Sequence, residues 1–432
     1  MAGGCRSTVV RSIVAASLVA SFAVANVAAE SAHAGARPAI VVDPAPGSTS
    51  RFVAVGPLRL ADTRKASCGC THVDDHTIHV AVAGQQGAPD PIVAAAVTVT
   101  VVNGPVAGFV TAYPSGTARP ETSTVNMAAS AVASNSAVVP VGSDGGIDLY
   151  ADVTADIVVD VTGVFTTTTF ATAGRFVPVA PRRLLDTRVS PGVRVLPAAS
   201  VTVPLPDGVP ADATAVAVNV TSLDEFAAGF VSGYAAGATP ATTSFLNPDG
   251  TGGAKAAAVI LPVSASGFTI ATSAGGDLVV DLVGWFTGAS AASSTDGLFV
   301  PLPPTRLLDT RASGPRLWPG GTREVVLPLG AVGAVVTNIT LDRTDATGFV
   351  TAYPAGTPQP PSSSLNATGR DATIANFAIS QPSTRGVAYF ANAGSDLIVD
   401  RRTVHATPAD PAARHACVRP ATKRSSPPGM RC

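Results

Sequence analysis

Along residues 200–206, SVTVPLP alternates apolar and polar side chains with a period of two. That period marks a strand with one face buried. TAVAVNVTSL at 214–223 is a longer and nearly continuous apolar run. GFVSGYAAG, TSFLN, AAAVILPVS, GFTIATS and DLVVDLVGWF follow, with Gly, Pro, Asp or Ser in the gaps. Short apolar runs punctuated by turn formers predict strands and tight connections. No stretch sustains a 3.6-residue period between caps, so little helix is expected.

The same landmarks occur three times in the same order. PLRLADTR at 57–64, PRRLLDTR at 181–188 and PTRLLDTR at 304–311 open each series. GFVTAYPSGT, GFVSGYAAGA and GFVTAYPAGT begin at 108, 229 and 348. STVN, SFLN and SSLN end at Asn126, Asn247 and Asn366, and DIVVD, DLVVD and DLIVD end at Asp160, Asp281 and Asp400. A unit of roughly 115 residues is therefore repeated in tandem. The expected fold is all-β, with three β-sandwich modules of about eight strands each and small β-barrels as the alternative. Modules are expected at 51–166, 175–287 and 298–400, joined by the short polar linkers TTTTFATAG and TGASAASSTDG.

The two ends read differently. Residues 1–34 carry Arg6 and Arg11, then an apolar run of small residues, then Ala32-His33-Ala34. This fits a signal peptide cleaved after Ala29 or Ala34; the run sits at the low end of a membrane span. Residues 35–50 read as a spacer. In module 3 the V-x-G-x-F ending of modules 1 and 2 is missing after Asp400, so the last strand is expected to be lost. Residues 401–432 hold seven Arg or Lys against one Asp. They read as a basic, disordered tail or as the product of a shifted reading frame.

F-V-P-V-x-P-x-R-L-L-D-T-R, the V-N-V-T strand, GFVTAYPSGT and the D-x-V-V-D-x-x-G-x-F ending resemble the tandem β-modules of exported proteins of high-GC Gram-positive bacteria. The resemblance covers nearly all of residues 51–400. It implies an exported location and the module architecture, and brings no catalytic residues. It also implies an intra-module disulfide whose positions hold Ser115 and Asp148, Ala236 and Thr269, and Ala355 and Ala388 here. That bridge is therefore not expected.

Composition narrows the function. The formal net charge is −1 and charged residues make up 13% of the chain, which argues against a nucleic-acid partner. No apolar stretch of the mature chain is expected to span a membrane. G-x-S-x-G, H-E-x-x-H and Walker motifs are missing, so no enzyme is expected. Charge is concentrated in Arg59, Asp62 and Arg64, in Arg183, Asp186 and Arg188, and in Arg306, Asp309 and Arg311. Two guanidiniums beside a carboxylate suit either an anionic ligand or an internal ion pair. Recurrence in every module favours the internal pair, with Asp160, Asp281 and Asp400 as partners and Arg188 paired to Asp281 or Asp277. Asn103, Asn219 and Asn338 follow the longest strand of each module, and Asn126, Asn247 and Asn366 close its S-x-x-N unit. All six are expected to bond local backbone.

Two ligand readings remain. Tyr113, Tyr234 and Tyr353 recur in register and could stack on glycans. CGCTHVDDHTIH at 68–79 gathers Cys68, Cys70, His72 and His76, which could hold zinc, although modules 2 and 3 have no such set. A Cys68–Cys70 disulfide would compete. The expected function is a non-catalytic, exported cell-surface or secreted array with structural or adhesive work and no cofactor. Binding of cell-envelope polysaccharide, surface proteins or zinc are the alternatives.

Overall fold

The computed structural model describes residues 49–84, 89, 91–189, 192–328 and 332–406, with side chains to Arg402. The expected signal peptide, most of the spacer and the tail beyond 406 lie outside the described residues.

Each repeat forms two facing antiparallel sheets. In the first, the inner sheet runs Ala133–Pro140, Ile92–Val102, Asp156–Thr167, Ser50–Asp62. The outer sheet runs Thr71–His72, Thr77–Ala81, Gly146–Ala151, Gly108–Pro114, Val125–Met127. The second repeat pairs Phe176–Asp186, Asp277–Phe286, Ala215–Leu223 and Lys255–Pro262 against Ala199–Val203, Phe268–Thr272 and Val231–Ala235. The third pairs Phe299–Asp309, Asp396–Ala406, Val332–Asp342 and Ile374–Ser380 against Gly321–Val325, Val387–Ala391, Gly348–Pro354 and Leu365–Ala367. These are open two-layer sandwiches. The inner sheets of repeats 1 and 3 join edge to edge at Ser50 and Phe299.

Each sandwich has its own core. Val97, Val99 and Val101 point into the first, and Val216, Val218 and Val220 into the second. Alternate residues of the same strands face the other way. Ala94, Ala96, Ala215, Ala217, Ala334 and Val336 meet in a fourth cluster shared by all three repeats. Small residues there let the inner sheets approach closely, and six phenylalanines belong to the cluster. Phe165 stacks on Phe299 at 4.0 Å between centroids, and Phe52 lies 4.5 Å from Phe286. Both pairs cross between repeats. The described repeats thus form one compact unit rather than beads on a string.

The bulge that ends each repeat makes room for this centre. A Cβ on Gly163 would lie 2.1 Å from Phe52 Cζ, and one on Gly284 would lie 2.2 Å from Phe176 Cζ. The strand of repeat 3 does not end at Asp400, contrary to the reading of the sequence. Asp396–Ala406 continues the ladder, with Arg401 opposite Thr337 and His405 opposite Phe299. Backbone pairing does not need the V-x-G-x-F side chains. The consequence is a buried Arg402 in place of Thr162 and Val283, its guanidinium pushed down to about 10 by burial.

The linkers are also more ordered than their composition suggests. Ala171 bridges Ser294, and Arg175 donates to the carbonyls of Ala292 and Asp296.

Candidate functional site

The recurring charged motif forms the same lattice in each repeat. Arg59 lies opposite Asp160 in the strand register, as Arg183 does to Asp281 and Arg306 to Asp400. Arg183 Nε and Nη2 donate to the two oxygens of Asp281 at 2.6 and 3.3 Å, and Nη1 donates to Asp186 at 2.7 Å. The second arginine folds back on the motif's own aspartate: Arg64 onto Asp62, Arg188 onto Asp186, Arg311 onto Asp309. Arg188 therefore does not pair with Asp281 or Asp277. A bulge between Arg183 and Leu185 puts Arg183 opposite Asp281 instead. The intervening threonine takes the other acid, as Thr187 Oγ1 donates to Asp277 at 2.7 Å and Thr310 Oγ1 to Asp396 at 3.0 Å.

Two carboxylates in this lattice titrate in opposite senses. Hydrogen bonds from Arg64 hold Asp62 down to about 2, and Asp186 and Asp309 are lowered in the same way. Burial pushes Asp160 and Asp281 up, against the pull of their arginines.

The first arginine also reaches the next repeat. Arg183 Nη2 donates to Pro361 O at 2.9 Å, and Arg59 Nη2 to Thr242 O at 3.5 Å. At these junctions the structure opens two clefts that match position for position. Arg59, Arg64, Thr100, Val158, Phe230 and Asn247 line the first, of about 320 Å³. Arg183, Arg188, Thr221, Val279, Phe349 and Asn366 line the second, of about 270 Å³. Asn247 and Asn366 also border an axial cavity of about 310 Å³ to which all three repeats contribute, and Asn126 lines it too. The junction of repeat 3 with repeat 1 differs. Asp342 stands where the others have Val102 and Leu223, and takes a hydrogen bond from Arg311 Nη1 at 3.3 Å.

Asparagines clasp two of the junctions. Asn135 donates to Asn338 Oδ1 at 2.8 Å and accepts from Phe377 N at 2.7 Å. Asn376 donates to Asn219 Oδ1 at 3.3 Å and accepts from Ala258 N at 3.2 Å. The junction of repeats 1 and 2 has Thr98 and Ala257 at these positions. Asn219 and Asn338 thus lie inside strands and act between repeats. Asn103 is not their counterpart; with φ of 60° it matches Asp224 and Arg343 in a turn.

Two expected ligand sites change. Tyr113, Tyr234 and Tyr353 are each 7% exposed and offer no ring face for stacking. The phenylalanine of the same motif, Phe230 or Phe349, lines the clefts instead; it lies four residues from the tyrosine and shares its strand face, so alternation does not tell the two apart. In the Cys/His loop, Cys68 and Cys70 form a disulfide, which removes the thiolates a zinc site needs. His76 Nδ1 lies 2.9 Å from Ala151 O, and His72 sits in the exposed strand beside it. No group of three ligands suited to a metal occurs among the described residues. His79 meets Asp148 at 3.0 Å, and the nearby Ser115 hydroxyl donates to Asp144.

No family model and no curated protein matches the chain. Among solved structures, a chain from the atomic structure of Sulfolobus Turreted Icosahedral Virus is similar over 83% of this chain and 92% of its own, at 9% identity. Its TM-score of 0.16 carries no argument. Among the described residues no helix is long and apolar enough to cross a membrane.

Proposed function

We propose that the chain is a non-catalytic, exported cell-surface or secreted protein whose three repeats act together as one structural and adhesive body. The export part of this reading rests on residues 1–34 and on the resemblance to exported tandem modules. The observation that carries the rest is the shared phenylalanine core, which ties the repeats into one rigid unit and leaves their junctions as the repeated surface features. Rigid scaffolds that present loops and clefts suit recognition. The test is sedimentation of the mature chain with the envelope of its own cells. Retention on the envelope is expected, and a chain found wholly in the supernatant overturns the adhesive reading.

A second reading, carbohydrate binding, is favoured by one observation. Thr100 Oγ1 and Asn247 Oδ1, in the first cleft, are buried without a hydrogen-bond partner. Such groups cost free energy unless something satisfies them.

A further inference from the structure

We propose that the two open junction clefts are subsites for a saccharide that carries a carboxylate, a proposal that rests on the carbohydrate-binding reading above. The first cleft offers every element such a ligand needs. Phe230, 45% exposed, supplies an apolar face for a sugar ring. Thr100, only 5% exposed, supplies a hydroxyl that has no partner, and Asn247 supplies an acceptor oxygen that has none. A ring hydroxyl donating to Asn247 and another meeting Thr100 would satisfy both.

The charge comes from the arginines. Arg64 commits Nε and Nη2 to Asp62, and no contact of Nη1 is among its hydrogen bonds. The surface that faces the cleft holds two guanidiniums and no carboxylate. Asp62 and Asp160, which balance them, are buried behind. An anionic group is therefore met first by cationic donors. In the second cleft Arg188 likewise keeps Nε and Nη2 on Asp186, whereas Asn366 Oδ1 already accepts from Ser363, so this subsite rests on Phe349 and the guanidiniums.

At the third junction the equivalent donor is spent on Asp342. An acid already in place competes with an anionic ligand and repels it. The structure thus assigns two sites per chain and names the residue that closes the third.

The test uses the whole mature chain and isothermal titration with a tetra-uronate oligosaccharide, a neutral tetraglucan and inorganic phosphate as separate probes. The expected result is tetra-uronate binding at two sites, with the neutral sugar weaker by on the order of tenfold, the loss of one charge-assisted hydrogen bond. Val102→Asp should reduce the stoichiometry to one, and Asp342→Leu should raise it to three. Phe230→Ala, at an exposed position, should weaken one site and leave the melting temperature unchanged. If no saccharide binds, the carbohydrate reading falls and this proposal with it. If saccharides bind but Val102→Asp, Asp342→Leu and Phe230→Ala change nothing, carbohydrate binding stands and the cleft assignment is overturned. Phosphate binding as tight as tetra-uronate, at the same stoichiometry, overturns the saccharide part and leaves only an anion site.

Discussion

Replacing Arg183 by alanine should destabilise the whole chain through the acid it leaves behind. Asp281 is 2% exposed, and Arg183 supplies both of its charged hydrogen bonds from the facing strand. Breaking a buried pair from one side costs ~3–5 kcal/mol, because the remaining charge is uncompensated. The Arg183 side chain is 32% exposed, so water can enter the gap, and the low end, about 3 kcal/mol, is expected. The variant also loses the contact with Pro361 in the next repeat. Burial already places the Asp281 carboxyl above its ordinary value in the folded chain. A raised folded value means the contribution favours folding below the unfolded carboxylate range and is lost as pH rises through the folded value. Without Arg183 the folded value moves further up. The deficit of Arg183→Ala should therefore be largest near neutral pH and shrink on acidification, and Arg183→Ala/Asp281→Asn should recover much of it. Urea unfolding of the three proteins from pH 4 to 8 reads this directly. A deficit under about 0.5 kcal/mol at pH 7, or one that does not vary with pH, would refute the ion-pair argument.

Other expectations follow from the same geometry. Gly163→Ala puts a methyl group into the Phe52 ring and should cost about 1–3 kcal/mol by overpacking, seen as a lower melting temperature; an unchanged melting temperature would mean the rings move freely. Asn376→Ala strips partners from Ala258 N and Asn219 Oδ1 and should cost ~1–3 kcal/mol. Calorimetry should still show one transition, because the repeats share a core, and separate melting of one repeat would contradict that. Asp62, Asp186 and Asp309 have lowered values, so their contribution is present above the unfolded carboxylate range and lost as pH falls toward 2; an acid-unfolding curve without a loss there would be the contrary result. Zinc should not bind the oxidised chain in a dialysis assay, since the thiolates of Cys68 and Cys70 are tied up.

Much of this fold could be read from the chain. The repeats, the strands and the match of each RLLDTR motif to a terminal aspartate all show in spacing. The closure of the repeats did not, though its trace is there. In TAVAV the valines face one way and the alanines the other. A strand that is apolar on both faces belongs to a sheet covered on both sides, and the small residues mark the side where another sheet comes close. Asp281 pairs with Arg183 and not with Arg188 because a bulge shifts the register, which period-two counting cannot see. The tyrosines drew attention by recurring in register, but recurrence records what each repeat needs to fold as readily as what it binds. The clefts were hidden because each is built by two repeats, and residues from neither one alone suggest a site.

The pairing of Ser50 with Phe299 joins the first described strand to the third repeat across 249 residues. Contacts of that span form late, because a long loop must close first. During synthesis the first two repeats emerge with Phe52, Phe165, Phe176 and Phe286 lacking the last third of their enclosure. Such a chain stays open until its final repeat arrives, and it leaves a lasting sticky face if synthesis stops early. The structure therefore ties completeness of the product to its solubility: a truncated copy is marked for aggregation or proteolysis by the same rings that hold the finished one together.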